Sequence, residues 1–571
     1  MRTFTAKILV VVFAVCFMWS GVANAQMLKP FKDSPVGNVT DNSCIDLHVI
    51  SWGGEYAFTF GNGNALRTAK GSIFDKLGLC FNIKLQNNPQ QMLNDYMSGK
   101  NPTFRGTLGM VNAALPIMAK DPRTQPVIAG LLTRSTGGDA IVVREGIKTA
   151  ADLNGKRIAI QAYGPHLYFL WRVLKTVGLS FKDVTLVWQD NLYGTNSPAD
   201  AFEKDKSIDV AFMIIPDALR AAGGGTDTVC KMQECTRKGA RILMTTKSGD
   251  KVIFDVFVVR SDYFNAHKAA MFELAKGVIQ AQEAMAKVFD GKDKDKKTYN
   301  ATVKFFAKYI IEDPAAFADS EGMYFDCTPA MLAYSETFFT KSSEARSFQN
   351  VNAEIQTAFT ELGLMNKTYP LMHAEWDYAV MRSGGKLQYH AESPKYDEKK
   401  LAAVVTQKQR QGTLSSGQIF PTLKIFFKSN KNDFTANMYA SEYDKAIDVM
   451  STFGGAVMVV EGHSDPLGYL KAKKAGAPAS KLKQIRQGAR NLSVTRGNAV
   501  RNSIVAYAAS KGITLDKSQF TVVGHGFEKS AGGMCGAHPC APKSEQEWLS
   551  NMKVEFRIIQ VETEASEFEL L

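Results

Sequence analysis

From Cys44 onward, short apolar segments that end in Gly, Asn or Pro alternate with amphipathic stretches. "IDLHVISWGG", "FNIKLQNN", "GTLGMVNAA", "DAIVVREG", "KRIAIQAYG", "VTLVWQD" and "SIDVAFMIIP" read as strands, and "HLYFLWRVLKTVG" reads as one of the helices between them. This alternation constrains the fold most, because it predicts a parallel α/β sheet, or two of them. After "VIFDVFVVRSDYF" the pattern changes to long helical stretches such as "KAAMFELAKGVIQAQEAMAKVF" and "NAEIQTAFTELGLM". Residues 383–418 lose apolar periodicity and are rich in Ser, Gly, Lys and Gln, as a linker would be. A last α/β unit follows, with "TLKIFF", "AVMVVEGH", "FTVVGHG" and "KVEFRIIQV" as strands and "SEYDKAIDVMSTF" and "VTRGNAVRNSIVAYAASKG" as helices. At 571 residues the chain has room for two or three such units.

The amino terminus is expected to lie outside that fold. Arg2 and Lys7 precede the apolar run "ILVVVFAVCFMWSGVA", and Ala23 and Ala25 take the small-residue positions of a cleavage site. The run is short for a membrane span of ~20 residues, so residues 1–25 read as a secretory signal. No later stretch is long and apolar enough to cross a membrane. An oxidising destination permits disulfides. Cys44 and Cys80 each stand just before a predicted strand, and would meet if those strands are parallel neighbours. Cys230 and Cys235 form one pair close in sequence, Cys535 and Cys540 another, which leaves Cys327 over. No second CxxC or His stands at a spacing that would make either close pair a zinc site. The formal charge is +12, or +10 without Arg2 and Lys7. For an exported chain this fits anionic wall polymer or anionic small molecules better than nucleic acid.

The stretch "GGDAIVVREGIKTAADLNGKRIAIQAYGPHLYFLWRVLKTVGLSFKDVTLVW" resembles the core of bacterial solute-binding proteins for nitrate, sulfonates, taurine and thiamine precursors. "SIDVAFMIIPDAL" is similar to that family's return to its cleft. The resemblance implies a type II periplasmic-binding-protein fold: two hinged α/β lobes that close on a ligand between them. In open α/β sheets, ligands collect at the carboxyl ends of strands, and four loops there are candidates. They are "SWGGE" with Trp52 and Gly53, "RSTGGD" with Ser135 and Thr136 at the lobe crossover, "QAYGPH" with Tyr163, Gly164 and His166, and "IIPD" with Asp217. Each is also readable as a plain turn or cap. Some eukaryotic relatives make a pyrimidine precursor through a cysteine-rich motif; no adjacent cysteines occur here, so no enzyme is expected.

"VVEGHSDPLG", "NLSVTRGNAVRNSIVAYAASKGI", "FTVVGHGFE" and "NMKVEF" resemble the OmpA-like peptidoglycan-binding domain. By that resemblance Asp465 and Arg496 grip the ammonium and carboxylate of the diaminopimelate stem. Asp465 before Pro466 also fits a helix N-cap, and Ser493 would cap a second helix with Arg496 in its first turn. The family asparagine three places before Leu492 is Ala489 here. A basic insert carries Lys471, Lys473, Lys474, Lys481, Lys483, Arg486 and Arg490 without an acid among residues 471–490. His463, Ser464 and Asp465 sit side by side like a triad written in a row, but consecutive residues of a strand point to alternating sides and cannot converge.

The resulting expectation is an α/β chain in five parts: signal 1–25, solute-binding domain 26–385 with its second lobe at about 139–255, linker 386–418, OmpA-like domain 419–561 and acidic tail 562–571. It would be a periplasmic, wall-associated protein that needs no cofactor or metal. Its partners would be peptidoglycan, a small anionic or heteroaromatic ligand and ABC importer membrane subunits. The alternative is a structural or sensory subunit of an envelope complex.

Overall fold

The computed structural model describes residues 28–40, 44–223, 239–383, 401, 403–405, 407, 420, 422–428, 436–536 and 538–559. The expected signal, most of the linker and the acidic tail lie outside the described residues. So do Cys230 and Cys235.

The first lobe begins with β1 (Ile45–Val49) and β2 (Phe81–Leu85), which pair in parallel with Ile45 opposite Phe81. That register puts Cys44 and Cys80 side by side, and they form a disulfide with Cα atoms 4.6 Å apart. Next come β3 (Thr103–Thr107) and β4 (Pro126–Ser135). In the second lobe, β5 (Asp139–Arg144), β6 (Arg157–Gln161), β7 (Thr185–Gln189), β8 (Val210–Ile214) and β9 (Ala240–Thr245) make one sheet in the order β7-β6-β8-β5-β9. The chain then returns to the first lobe through β10 (Phe254–Arg260) and adds β11 (Cys327–Pro329) and β12 (Met372–His373), both beside β4. Two α/β lobes joined by two crossovers result, as the solute-binding resemblance implied, but the sheets are not all-parallel as the alternation predicted: the chain re-enters each with an antiparallel strand, β5 beside β8 and β9, and β10 beside β3 and β4.

Two local readings change. "GTLGMVNAA" is not a strand: β3 ends at Thr107, whose Oγ1 accepts from the Met110 N–H at 3.2 Å and caps a helix over Leu108–Met118. β4, "PVIAGLLTRS", is almost wholly buried and carries no alternating pattern, so periodicity did not mark it.

At the crossovers, Ser135 Oγ and Thr246 Oγ1 lie 2.7 Å apart, and Thr246 Oγ1 accepts from the backbone N–H groups of Gly137 and Asp139, both at 3.1 Å. The outgoing and returning strands are thereby pinned to one hydroxyl.

The last unit is a sheet in the order β13-β18-β14-β15, made of β13 (Leu423–Phe426), β14 (Val457–Gly462), β15 (Phe520–Gly524) and β18 (Lys553–Ile559). β16 (Met534–Cys535) and β17 (His538–Pro539) form a small hairpin closed by the Cys535–Cys540 disulfide. Two of the three expected bridges are therefore present. The third, between Cys230 and Cys235, is not among the disulfides of the described residues, because both cysteines fall outside them. Cys327 is a buried free thiol, as the count of pairs left it.

A helix over Ala479–Ser510 covers the sheet, burying Val500, Ile504 and Ala508. Full burial of a Val or Ile side chain contributes ~1.5–3 kcal/mol. Gly497 makes the close approach possible, since a Cβ there would stand 2.5 Å from the Val522 side chain.

This helix overturns the Ser493 cap. "KLKQIRQGAR" holds no proline and is mostly strong helix formers, so the helix starts at Ala479 and runs through Ser493 without a break. The basic insert is therefore helical for the most part, with a second helix over Leu467–Lys474. Ser493 Oγ instead donates to the Arg490 carbonyl at 2.7 Å and accepts from the Gly526 N–H at 3.0 Å.

The last unit packs against the second lobe. Arg172, buried on the helix His166–Thr176, donates from Nη2 to both Asp448 carboxylate oxygens at 2.8 and 2.9 Å. Its Nη1 faces Glu354 at 3.4 Å, and the Gly455 N–H donates to the Ser248 carbonyl at 3.1 Å.

Candidate functional site

A cavity of about 250 Å³ lies between the lobes. The first lobe supplies Ile50, Ser51 and Trp52 after β1, Asn87 and Pro89 after β2, and Thr107 and Met110 after β3. From the second lobe come Gln161 and Pro165 around the end of β6, and Asn191, Leu192 and Tyr193 after β7. These are carboxyl ends of parallel strands, where such sheets leave an open crevice. Asp139, Ile253 and Asp255 come from the starts of β5 and β10, which run antiparallel to their neighbours and so begin at the same edge.

The floor is a buried charge network. Asp255 accepts from Trp52 Nε1 at 3.1 Å, Thr133 Oγ1 at 2.7 Å and Arg105 Nη1 at 3.1 Å. Arg105 also pairs with Glu55, and all three ionisable side chains are fully buried. Burial outweighs the pull of Arg105 on Glu55 and pushes its carboxyl up to about 8. Asp139 accepts from Ser135 Oγ at 2.6 Å and His166 Nε2 at 2.7 Å. At the mouth, Asn87 Nδ2 donates to Ser51 Oγ at 2.9 Å and to the Tyr193 hydroxyl at 3.1 Å. The latter bond joins the two lobes.

Of the eight residues picked from sequence for the cleft, Trp52 alone lines the cavity. Gly53 is the close-packing position beneath it, where a Cβ would collide with the Met323 carbonyl and crowd the buried Cys327 thiol. Ser135 and His166 stand one contact behind the wall, both bonded to Asp139. Thr136 turns to the other side of the crossover, with its Oγ1 2.9 Å from that of Thr328. Tyr163, at φ +57°, stacks on Phe31 at 4.0 Å and donates its hydroxyl to the Lys29 carbonyl, which draws it away from the cleft. Gly164 packs on Gln161, and Asp217 pairs with Arg220 on its own short helix.

Asp139 and Asp255 were missed, though each carried a signal. Asp139 is the last residue of "RSTGGD", and Asp255 is a lone charge in the apolar run "VIFDVFVV". A charge that a buried strand retains has to be held by partners, and that need marks it.

In the last unit, Asp465 Oδ1 accepts from the Leu467 N–H at 2.9 Å, but the helix begins one residue later than Asp-Pro suggested, with Pro466 and not Asp465 at its N-cap. Arg496 is almost fully buried, donates to the His463 carbonyl at 2.9 Å and the Lys428 carbonyl at 3.2 Å, and lies over the Phe427 ring. Burial lowers its ordinary value and the nearby Asp465 carboxylate works against that shift. His463 and Ser464 do not converge with Asp465: the His463 ring stacks on His525 at 5.0 Å, 3.3 Å from Glu555, while Ser464 Oγ donates to the Ala489 carbonyl. Glu461 holds His525 at 2.7 Å, Arg557 at 2.7 Å and Lys529 at 3.1 Å. Among the described residues, no group of His, Cys, Asp and Glu could hold a metal ion.

Two lobes, their pinned crossovers and a cavity between them make up the candidate site. Residues 73–240 match the family described as NMT1/THI5 like. Among solved structures, the chain is similar to the alkanesulfonate-binding protein SsuA from Xanthomonas axonopodis pv. citri bound to MOPS, at 18% identity over 58% of this chain and 96% of that one, TM-score 0.37. It is similar to the periplasmic aliphatic sulphonate binding protein SsuA from Escherichia coli at 15% identity, over 62% and 98%, TM-score 0.40. The periplasmic nitrate-binding protein NrtA from Synechocystis PCC 6803 matches at 14% identity, over 61% and 86%, TM-score 0.40. All three are binding proteins by description. No curated protein matches the chain.

Proposed function

We propose that this chain is a periplasmic solute-binding protein that captures a small ligand between its lobes and is held to peptidoglycan by its last domain. The observation that carries the capture reading is the cavity itself, walled by loops of both lobes and backed by crossovers pinned at Thr246. The Trp52 wall suits a flat or heteroaromatic ligand. Delivery to an importer whose membrane subunits lie on other chains follows from this reading. The wall reading rests on the OmpA-like motifs and on Asp465 and Arg496 lying close enough for the carboxylate to act on the guanidinium.

A thermal-shift screen of the full mature chain tests capture. A ligand at a hundred times its Kd should add about 2.7 kcal/mol of stability, and silence across a broad metabolite panel would defeat the reading. Co-sedimentation with purified sacculi tests the anchor. Asp465→Ala should abolish it with the fold intact by circular dichroism, and retention would reject the assignment. Because Arg496 is buried, Arg496→Lys is the gentler second variant, and reduced binding is expected.

The packing of the last unit on the second lobe through Arg172 and Asp448 favours a second reading, a wall-held sensor in which lobe closure is felt by the anchor.

A further inference from the structure

Residues 28–40 carry no helix or strand, yet they are fastened to both lobes. On the first lobe, the Lys32 N–H donates to Gln90 Oε1 at 2.8 Å, and Gln90 Nε2 donates to the Lys32 carbonyl at 3.1 Å. Further along, the Gly37 N–H donates to the Met97 carbonyl and Arg260 Nη2 to the Gly37 carbonyl, both at 3.0 Å. On the second lobe, the buried Phe31 ring stacks on Tyr163 at 4.0 Å, and the Tyr163 hydroxyl donates to the Lys29 carbonyl. Gln90 adjoins the lining residue Pro89, and Tyr163 stands between Gln161 and Pro165, which also line the cavity. The segment therefore joins the two rims of the cleft.

This joint has no slack. The attachments to opposite lobes fall on adjacent residues, Phe31 and Lys32, whose Cα atoms are about 3.8 Å apart. The rims cannot part until one attachment lets go. Tyr163 also has φ +57°, which a bulky residue keeps only where its surroundings impose it. The Phe31 ring and the Lys29 carbonyl hold its side chain in that conformation. Backbone strain of this kind gathers at clamps and switches, and here it falls where the segment grips the second lobe.

We propose that residues 28–40 are a strap that holds the two lobes together across the cleft, so that the clamp opens only when the strap leaves one rim. The proposal rests on the reading that the inter-lobe cleft is the ligand site, since only then does the strap govern ligand exchange. Opening takes two events: release of the strap, and the swing of the lobes about their crossovers. Phe31 is the grip on the second lobe and Gln90 the grip on the first.

The test is the distance between the lobes of the full mature chain without ligand. Double electron–electron resonance reads it between spin labels at Lys70→Cys in the first lobe and Lys206→Cys in the second, both exposed positions. One narrow distance is expected in the parent. Phe31→Ala removes the grip on the second lobe, and Gln90→Ala removes the Lys32 fastening on the first. Each should add the same second, longer distance in at least about a tenth of the molecules. Distances unchanged in both variants overturn the strap. A change in Phe31→Ala alone also overturns it, because the segment would then carry nothing between the lobes. If Phe31→Ala unfolds, Gln90→Ala decides by itself, since its bonds to Lys32 lie at the surface. Because no ligand is used, failure here leaves the cleft reading to the thermal-shift screen.

Discussion

Asn87 and Tyr193 meet across the mouth of the cavity, one from each lobe, through a 3.1 Å hydrogen bond. Asn87 is held in place for this by Ser51, which in turn donates to the Ile310 carbonyl at 2.6 Å. The bond is a latch: it forms only when the lobes are together. Tyr193→Phe deletes the hydroxyl and leaves the ring. A neutral hydrogen bond contributes ~1 kcal/mol, so the ligand should leave about fivefold faster. Stopped-flow displacement measures this, and an unchanged rate would mean that the mouth does not gate release.

The floor makes a paired prediction. Arg105→Met strands the buried Asp255 carboxylate without its cation and should destabilise the chain by ~3–5 kcal/mol. Glu55→Gln mimics the protonated carboxyl that burial maintains up to about 8, so it should be nearly neutral near pH 4 and stabilising at pH 7, where the parent's unfolded state is ionised. Its sign with pH follows from the raised value: the native state holds a proton that the unfolded state releases above ~4.5, so stability falls as pH rises towards 8. Urea unfolding at pH 6 and pH 8.5 should show that slope in the parent and a flatter one in Glu55→Gln.

The last domain should respond to acid in the opposite sense. Burial pushes the Glu461 carboxyl up, but the hydrogen bond from His525 and the charges of Arg557 and Lys529 hold it well below the usual range. Glu555 is likewise brought down to about 2 against burial by His463 and Lys553, while burial lowers His463. His463 resists the proton that an unfolded histidine accepts below ~6.5, and the two glutamates lose their stabilising charge below ~4.5. Protection factors of the β14 and β18 amides, with the intrinsic exchange rate divided out, should therefore fall as pH drops from 7 to 5.5 and more steeply at pH 4. Glu461→Gln should cost about 3 kcal/mol at pH 7, because Arg557 and Lys529 lose their anion.

The two disulfides differ in loop length, at sequence separations of 36 and 5. In the chain-entropy account the longer loop contributes roughly 4 kcal/mol and the shorter roughly 2. Cys44→Ser with Cys80→Ser should lower the melting temperature clearly more than Cys535→Ser with Cys540→Ser; equal shifts would contradict the account.

The sequence disclosed the two sheets of the clamp and the last α/β unit because glycines and amphipathic stretches punctuate them. It pointed to Trp52, which lines the cavity, for the same reason, since it stands three residues past the end of β1. β4 and the start of the helix at Leu108 were hidden, because burial on both faces erases the two-residue period that separates strand from helix. Tyr163, Gly164 and Asp217 stood at the right strand ends but were claimed by neighbours far away in sequence, such as Phe31, or by their own helix. Position along a strand can be read locally, whereas the side a side chain turns to depends on what packs against it. The Ser493 cap failed because helix formers upstream outlast a single capping residue.

Arg172 joins three bodies at once: its own lobe, the helix of Glu354 and the last domain at Asp448. It sits six residues along the helix that His166 begins, about 9 Å of rise from the wall carboxylate of Asp139. A pull on the last domain therefore reaches the clamp by a route that bypasses the linker. On the proposed function, tension on the last domain and occupancy of the cleft would bear on the same helix, with the Gly455–Ser248 bond as a second point of contact.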